Sequence, residues 1–197
     1  MMRIAALVGI LTPALAVADE IQVGGPTGLP TIQAAVDVAH SGDVIRIADG
    51  EYTESVVIDR VDLTRLTLRA APGAHVTVVG SNDNAHTINA VDCDLDVVDL
   101  QVVASNPSSE APKAIRLQTL SETPRMLRLC QVRLLQAEIN DGSAVSCGAA
   151  ENAPVGVTFS DTHIDGFDLD VDGQCFGYTD GWDWIDTVCQ NLLEGTY

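Results

Sequence analysis

The sequence predicts an all-β chain wound as a solenoid, in which short parallel strands of successive turns stack on one another. Three observations predict this fold: apolar residues alternate within short segments, one spacing of apolar residues recurs along the chain, and one amphipathic helical segment precedes the strands. A segment of this length cannot bury its apolar face alone. Burial therefore requires each turn to pack on its neighbours.

The recurring spacing is apolar-x-apolar-x-x-apolar-x-apolar. Its three copies begin at Leu95, Leu127 and Val157, at offsets of 32 and 30 residues. Each copy predicts two short strands joined by a two-residue bend. The bends fall at residues 98–99, 130–131 and 160–161. Shorter apolar pairs at 115–117 and 145–147 precede the second and third copies by twelve residues. We expect equivalent positions of the copies to be neighbours in parallel sheets.

Related patterns extend the repeat towards the N-terminus. Val56, Ile58, Val61 and Leu63 fit the same spacing. Apolar pairs at 45–47, 66–68 and 88–90 recur about every 21 or 22 residues. Together the patterns predict a repeating unit of roughly 20 to 30 residues that contains two or three short strands.

The sequence predicts an amphipathic helix over residues 31–40. Its apolar face is formed by Ile32, Ala35, Val36 and Ala39. Thr31 is placed to cap its N-terminus, and Gly42 follows its end, as glycine commonly does. The first turn of a solenoid would leave an unpaired strand edge and an uncovered core. We expect the helix to cover that end.

The stretch TIQAAVDVAHSGDVIRIADGEYTESVVID, residues 31–59, resembles the opening of the right-handed parallel β-helix proteins of the pectate lyase-like superfamily. The matching residues are Thr31, Ile32, Gln33, Ala34, Ala35, Gly42, Asp43, Ile45, Ile47, Gly50, Tyr52, Glu54, Val56 and Ile58. The resemblance is strong over residues 31–80 and rests on the rung pattern alone from 86 to about 172. It implies a right-handed parallel β-helix. It does not imply one activity, because the same opening leads into lyases, hydrolases, epimerases and adhesins.

The resemblance to lyases of this superfamily implies calcium held by carboxylates on an outer strand face, and an Arg or Lys that removes the proton beside a uronate carboxyl. The chain lacks an R-x-P-x-x-R segment, and its nearest stretch is Thr123-Pro124-Arg125. The paired aspartates of polygalacturonases and the Gln, Asp and Arg set of pectin esterases are also absent from the sequence. These departures favour a non-catalytic role.

The N-terminal segment predicts the location of the protein. Residues 1–18 combine Arg3, an apolar run and the small residues of Ala16-Val17-Ala18. This pattern predicts a signal peptide cleaved near Ala18, and hence a secreted protein, either extracellular or periplasmic. We expect 19–197 to form one domain, with coils at 43–172 and a C-terminal tail or cap at 173–197. No later stretch is apolar enough to predict a membrane span.

Charge and cysteine content limit the partners. The net charge is −18, and removal of Arg3 leaves nine basic against 28 acidic residues. Such a charge disfavours nucleic acid and anionic membranes as partners, and it disfavours polyanionic sugars as well unless a divalent cation bridges them. Extracellular polysaccharide is the partner that the resemblance implies. Five cysteines in a secreted chain predict disulfides with at least one thiol left over. We expect a Cys175–Cys189 bridge that holds the C-terminal tail.

Alternating aspartates suggest a metal site. Asp168, Asp170 and Asp172 form one such series, and Asp92, Asp94 and Asp96 form another. In a strand each series would place carboxylates about 7 Å apart on one face, where calcium would relieve their repulsion. The C-terminal series is the favoured calcium site. The alternative is a solvated outer face that discourages pairing of strand edges.

Two further groups could contact a glycan. Arg128, Arg133 and His163 occupy outward positions of the repeat, form a polar stripe, and are the candidate catalytic residues. Their alternative role is a charge-balanced surface. Trp182 and Trp184 could stack on sugar rings, or they could plug the C-terminal end of the solenoid.

Two hypotheses follow. The first is a non-catalytic glycan-binding or structural module of the cell exterior, with calcium as the one candidate cofactor. The second is a calcium-dependent polysaccharide lyase-like enzyme that uses the aspartate series with Arg128 or Arg133. The departures from the superfamily's catalytic patterns favour the first.

Overall fold

Three parallel sheets make up the computed structural model of the protein, and the chain visits them in a fixed order. The structure describes residues 18–81, 86–105, 112–137, 142–148, 153–167, 169–173, 175–180 and 189. Sheet 1 contains seven strands, and sheets 2 and 3 contain five each. Three successive strands, one from each sheet, make one coil. The all-β parallel β-helix solenoid predicted from the sequence is confirmed.

The strands of each sheet lie side by side in the order in which the chain forms them. Sheet 1 consists of β1 (Glu20–Val23), β2 (Val44–Ile47), β5 (Arg65–Ala70), β8 (Asp94–Val98), β11 (Arg125–Cys130), β14 (Val155–Ser160) and β17 (Cys175–Asp180). Sheet 2 consists of β3 (Gly50–Thr53), β6 (Val76–Val79), β9 (Gln101–Ala104), β12 (Arg133–Gln136) and β15 (His163–Asp165). Sheet 3 consists of β4 (Val56–Ile58), β7 (His86–Val91), β10 (Lys113–Gln118), β13 (Ser143–Gly148) and β16 (Leu169–Gly173). A short helix, α1 (Ile32–Val38), lies between β1 and β2 in the chain.

The recurring spacing sets the register of sheet 1. Val97, Leu129 and Phe159 are direct neighbours on adjacent strands, as the repeat predicts. The two-residue bends that follow place Asp99, Gln131 and Asp161 at φ values of 55°, 55° and 49°. The hydrogen-bond ladder continues through these bends, because the Asp99 amide donates to the Cys130 carbonyl at 2.9 Å. Successive coils therefore stay in register from sheet 1 into sheet 2.

Sheet 3 confirms part of the earlier pattern and corrects the rest. Ile115 lies between Ile88 and Val145, so the shorter apolar pairs do stack. Val56, however, lies beside Ile88 in sheet 3 and is not an equivalent of Leu95. Val61 is fully exposed, at 101%. The stretch from Val56 to Val61 shares the spacing of the later copies but crosses a different corner of the coil.

The interior is filled by the inward apolar residues of all three sheets. Ile45, Leu95, Ile115, Leu129 and Val145 are completely buried. They belong to one continuous cluster that runs the length of the stack. Burying a side chain of this size contributes about 1.5–3 kcal/mol relative to its exposed state. The apolar interior thus supplies the main driving force for stacking.

Helix α1 covers the first coil. Thr31 caps the helix, and its Oγ1 accepts from the Ala34 amide at 3.1 Å. The Gln33 side-chain amide pairs with the edge strand β4, because it donates to the Val57 carbonyl at 3.1 Å and accepts from the Val57 amide at 2.7 Å. It thereby takes the place of a neighbouring strand on an exposed edge. Strand β1, which pairs with β2 ahead of the first coil, was missed by the sequence patterns.

The disulfides differ from the expected pairing. The bridges are Cys130–Cys189 and Cys147–Cys175, so the predicted Cys175–Cys189 bridge is wrong. Cys147 lies beside Gly173 on the next coil, which brings Cys175, two residues further on, to a Cα–Cα distance of 5.2 Å. Cys93 is the remaining free thiol, and burial raises its pKa to about 12. Stacking of coils, not proximity in sequence, selects the partners.

Candidate functional site

Four outward residues of sheet 2 form an aligned row, which we call the polar ladder. Its members are Thr77, Gln101, Arg133 and His163, each beside the next on successive strands. Adjacent strands are about 4.8 Å apart, so the row extends over about 14 Å. Arg133 and His163 are exposed, and Thr77 and Gln101 are half-buried. The alignment of Gln101, Arg133 and His163 is the one that the repeat predicts.

A cleft of about 140 Å³ lies beside the polar ladder, where sheet 1 bends into sheet 2. Besides ladder residues, its lining includes the polar side chains of His75, Asp99 and Gln131. Burial raises the pKa of Asp99, although His75 and Arg69 act in the opposite direction. The cleft thus joins a carboxyl group, an imidazole, two amides and a guanidinium on one surface. These groups together offer both donors and acceptors of hydrogen bonds.

The predicted catalytic residue Arg128 lies on sheet 1, whereas Arg133 and His163 lie on sheet 2. Its Nε donates to the carboxylate of Asp96, a side chain with no exposed surface. Arg65 Nη2 donates to the other carboxylate oxygen at 3.1 Å. Arg128 therefore pairs with Asp96 and helps to hold this buried carboxylate in place.

The N-terminal aspartate series does not act as a unit. Asp92 lies in a turn at a φ of 50°, where its Oδ1 accepts from the Ser121 hydroxyl at 2.8 Å. Asp94 accepts from the Met126 amide at 2.9 Å, and Asp96 is held by two arginines. Among the described residues no group of three potential ligands is placed to hold a metal ion. Each carboxylate of this series has its own partner within the fold.

The other predicted contact residues fall at the C-terminal end of the chain. Trp182, Trp184 and Asp168 lie outside the described residues. Asp170 and Asp172 belong to β16, for which the structure describes the backbone at these two positions. The calcium site and the tryptophan contacts therefore stay predictions.

Sequence reasoning missed the cleft residues His75 and Asp99. Asp99 sits in a bend that the repeat does predict, and its outward position beside Gln101 was the available signal. His75 carried no such signal, because Thr77 pairs with Gln101 at an offset of 24 residues, which differs from the 32 and 30 of the later coils. Because the coils differ in length, the offsets in the sequence do not show which turns lie side by side.

Comparison with known proteins finds a distant structural likeness. Neither a protein-family model nor a curated protein matches the chain. The solved structure of the pectin methylesterase from Aspergillus niger, in deglycosylated form, is similar over 82% of this chain and 84% of that one, with 15% identity and a TM-score of 0.36. A likeness at this level carries no argument about activity. In the part of the chain that the structure describes, helices long and apolar enough to span a membrane are absent.

Proposed function

We propose that the protein is a secreted, non-catalytic module that binds polysaccharide along the polar ladder. The observation that carries this proposal is the alignment of Gln101, Arg133 and His163 on an outer sheet face, with the cleft beside them. A linear row of polar groups with a regular spacing suits a linear ligand with many hydroxyl groups. The proposal therefore names an extended glycan that lies along the stack.

The size of the cleft supports an extended ligand. Pockets that enclose a small molecule usually measure about 300–1,000 Å³, whereas this cleft measures about 140 Å³. It can take the edge of one sugar ring and cannot enclose a whole ligand. The neighbouring ladder supplies the remaining contacts along the chain of the glycan.

Two features support action outside the cell. The two disulfides are typical of proteins that fold in an oxidising compartment. The acidic composition, with a net charge of −18, favours solubility. The signal peptide predicted at 1–18 is consistent with both, and its first 17 residues lie outside the described part of the chain.

The non-catalytic part of the proposal is supported by the departures from the superfamily's catalytic patterns. Of the two candidate bases, Arg128 is paired with the buried Asp96, whereas Arg133 is exposed. Assays for the unsaturated product of uronate polymers, with and without calcium, test this point. Turnover that is lost in Arg133→Ala would overturn the non-catalytic role.

Binding to a panel of neutral and acidic polysaccharides, monitored by affinity electrophoresis, tests whether the polar ladder is the binding surface. We expect Arg133→Ala to weaken binding of the retained polymer at least tenfold, which corresponds to about 1.4 kcal/mol. Arg46→Ala is the matched control, because it removes the same cation from sheet 1, where Arg46 pairs with Glu20. Equal retardation of Arg133→Ala and wild type would refute the ladder as the binding surface.

The calcium site belongs to the same proposal as a separable part. Asp170 and Asp172 lie two residues apart in β16, in keeping with the strand that the prediction assumes. Calorimetric titration with calcium should give binding heat for the wild type and a much weaker signal for Asp170→Ala. A titration without heat in the wild type would remove calcium from the account and leave the ladder untouched.

A further inference from the structure

A second cleft lies at the corner between sheets 3 and 1, where the chain leaves a strand of sheet 3 and enters the next strand of sheet 1. The turn between β4 and β5 spans residues 59–64, and the turn between β10 and β11 spans 119–124. The turn between them in the stack, joining β7 to β8, contains only Asp92 and Cys93. A short turn between two long ones leaves a gap of about 350 Å³, which we call the corner notch.

The walls of the corner notch are unusually apolar for an exposed surface. Val61, from one long turn, is 101% exposed, and Leu120, from the other, is 64% exposed. Among the described residues, the exposed large hydrophobic side chains are these two and Val38. Two of the three therefore line one notch. Scattered apolar residues on a surface are ordinary, whereas their convergence on a cleft indicates a binding site.

The carboxylate of Asp92, which lines the notch, is a charged hydrogen-bond acceptor. Asp92 Oδ1 accepts from the Leu120 amide at 3.0 Å and from the Ser121 amide at 3.1 Å, in addition to the Ser121 hydroxyl. Burial raises the pKa of Asp92, but these hydrogen bonds together outweigh it and hold the pKa below its usual value. Its other oxygen, Oδ2, accepts no hydrogen bond from the described residues. The carboxylate is thus fixed in place with one acceptor atom left for a ligand.

The charges of the notch disfavour an anionic ligand. Asp59 and Asp92 both line it. Of its two arginines, Arg60 is already bound to Asp62 and to the carbonyls at the end of α1, including that of Ala39 at 2.9 Å. Arg125 remains as the one lining cation without a carboxylate partner within hydrogen-bond distance among the described residues. A neutral ligand with hydroxyl donors and an apolar face fits this balance.

We propose that the corner notch binds a single ring of a neutral sugar. Val61 and Leu120 would pack on the C–H faces of the ring, and Asp92 Oδ2 would accept from one of its hydroxyl groups. The two long turns are two strand spacings apart in the stack, about 10 Å, so Val61 and Leu120 come from opposite sides of the notch. The volume of the notch, about 350 Å³, falls in the range usual for small-ligand pockets.

The inference rests on the proposed glycan-binding function only for the class of its ligand, because the notch lies at the corner between sheets 3 and 1, whereas the polar ladder lies on sheet 2. It adds a specificity for neutral sugars to the proposed role. A glycan bound along the ladder and a ring bound in the notch would be separate contacts, and variants at each can be tested independently.

The test is to titrate the full chain with glucose, galactose, mannose and their methyl glycosides, and with glucuronate as the acidic comparison. Binding is monitored by NMR. We expect at least one neutral hexose to bind, and Leu120→Asp and Val61→Asp each to weaken it at least tenfold. Val38→Asp is the matched control, because Val38 is 56% exposed and is not among the residues that line the notch. All three positions are exposed, so the substitutions leave the fold intact.

Three outcomes would overturn the inference: no neutral hexose binds to the wild type, Leu120→Asp binds it as tightly as the wild type, or glucuronate binds more tightly than every neutral hexose. Arg133→Ala, tested in parallel, separates the two proposals. Polymer binding that depends on Arg133, with hexose binding that does not depend on Leu120, would refute the notch alone. Hexose binding that depends on Leu120, with polymer binding that does not depend on Arg133, would refute the ladder alone.

Discussion

The inner and outer faces of sheet 1 follow different rules, and strand β8 shows both. Its inward residues Leu95 and Val97 have apolar neighbours of similar size on the adjacent coils, and this pattern repeats throughout the stack. Its outward residue Asp96 has a threonine on one side and an arginine on the other. The inner face is uniform because it must fill one core. The outer face varies from coil to coil, so binding properties must be sought there.

The largest effect should come from opening a cavity in the inner face. Leu129 is completely buried between Val97 and Phe159. We expect Leu129→Ala to lower the free energy of unfolding by about 4 kcal/mol, the usual cost of a buried leucine cavity. Urea denaturation followed by circular dichroism measures it.

Val61→Ala is the exterior counterpart, since Val61 is fully exposed. We expect it to change the free energy of unfolding by less than about 0.5 kcal/mol. Similar values for the two variants would contradict the division between the faces.

The sequence predicted the inner face well because burial imposes a strict alternation on it. The spacing of Leu95, Leu127 and Val157 was enough to define neighbours in sheet 1, and with them the row of Gln101, Arg133 and His163 in sheet 2. These outward residues inherit their alignment from the apolar residues beside them. Their positions could therefore be predicted without any pattern of their own.

The corners of the coil could not be predicted, because turn lengths differ between coils. The corner notch exists since the turn at Asp92 is shorter than the turns above and below it. The same irregularity led to the wrong prediction that Val56 is equivalent to Leu95. The wrong partner was predicted for Cys175 because Cys189 is close to it in sequence. Contacts across corners depend on three-dimensional turn geometry, which apolar spacing does not encode.

The second-largest loss of stability should come from removing the Cys147–Cys175 disulfide, which links two of the last coils. Cys147 and Cys175 are separated by 28 residues. Loop-closure entropy predicts that the bridge contributes about 3.5 kcal/mol. We expect the double variant Cys147→Ser/Cys175→Ser to lose an amount of this order in urea denaturation. An unchanged midpoint would show that the stacked strands hold the C-terminal coils without the bridge.

The third-largest loss of stability should come from replacing Asp96, a buried charged residue on the outer face of sheet 1. Asp96 has no exposed surface and is held by Arg65 and Arg128. Asp96→Asn leaves these arginines without their carboxylate, and we expect a loss of about 3 kcal/mol in unfolding free energy. Added salt should reduce the loss only in part, because Asp96 has no exposed surface whereas the Arg65 side chain is 47% exposed. A loss below about 0.5 kcal/mol would mean that the outer face contributes binding groups but no stability.

The smallest effect concerns pH. Burial raises the pKa of Asp99 in the folded protein, so ionisation of this group favours the unfolded chain. Its stabilising contribution is complete below its unfolded pKa of about 3.9 and is lost as the pH rises through the folded value. Asp99→Asn, which suits the φ of 55° at this bend, should therefore gain on the wild type as pH rises, by less than about 0.5 kcal/mol at this exposed site. Thermal melts from pH 3 to 7 measure the difference, and a gain towards acid would reverse the sign.

The most direct test of the account is the register of sheet 1, since both the polar ladder and the inner face depend on it. Isotope-edited NOESY spectra should connect the backbone of Leu129 to that of Val97 on one side and of Phe159 on the other. Cross-strand contacts from Leu129 to different residues, in a spectrum that resolves all three, would contradict the stacked-coil account.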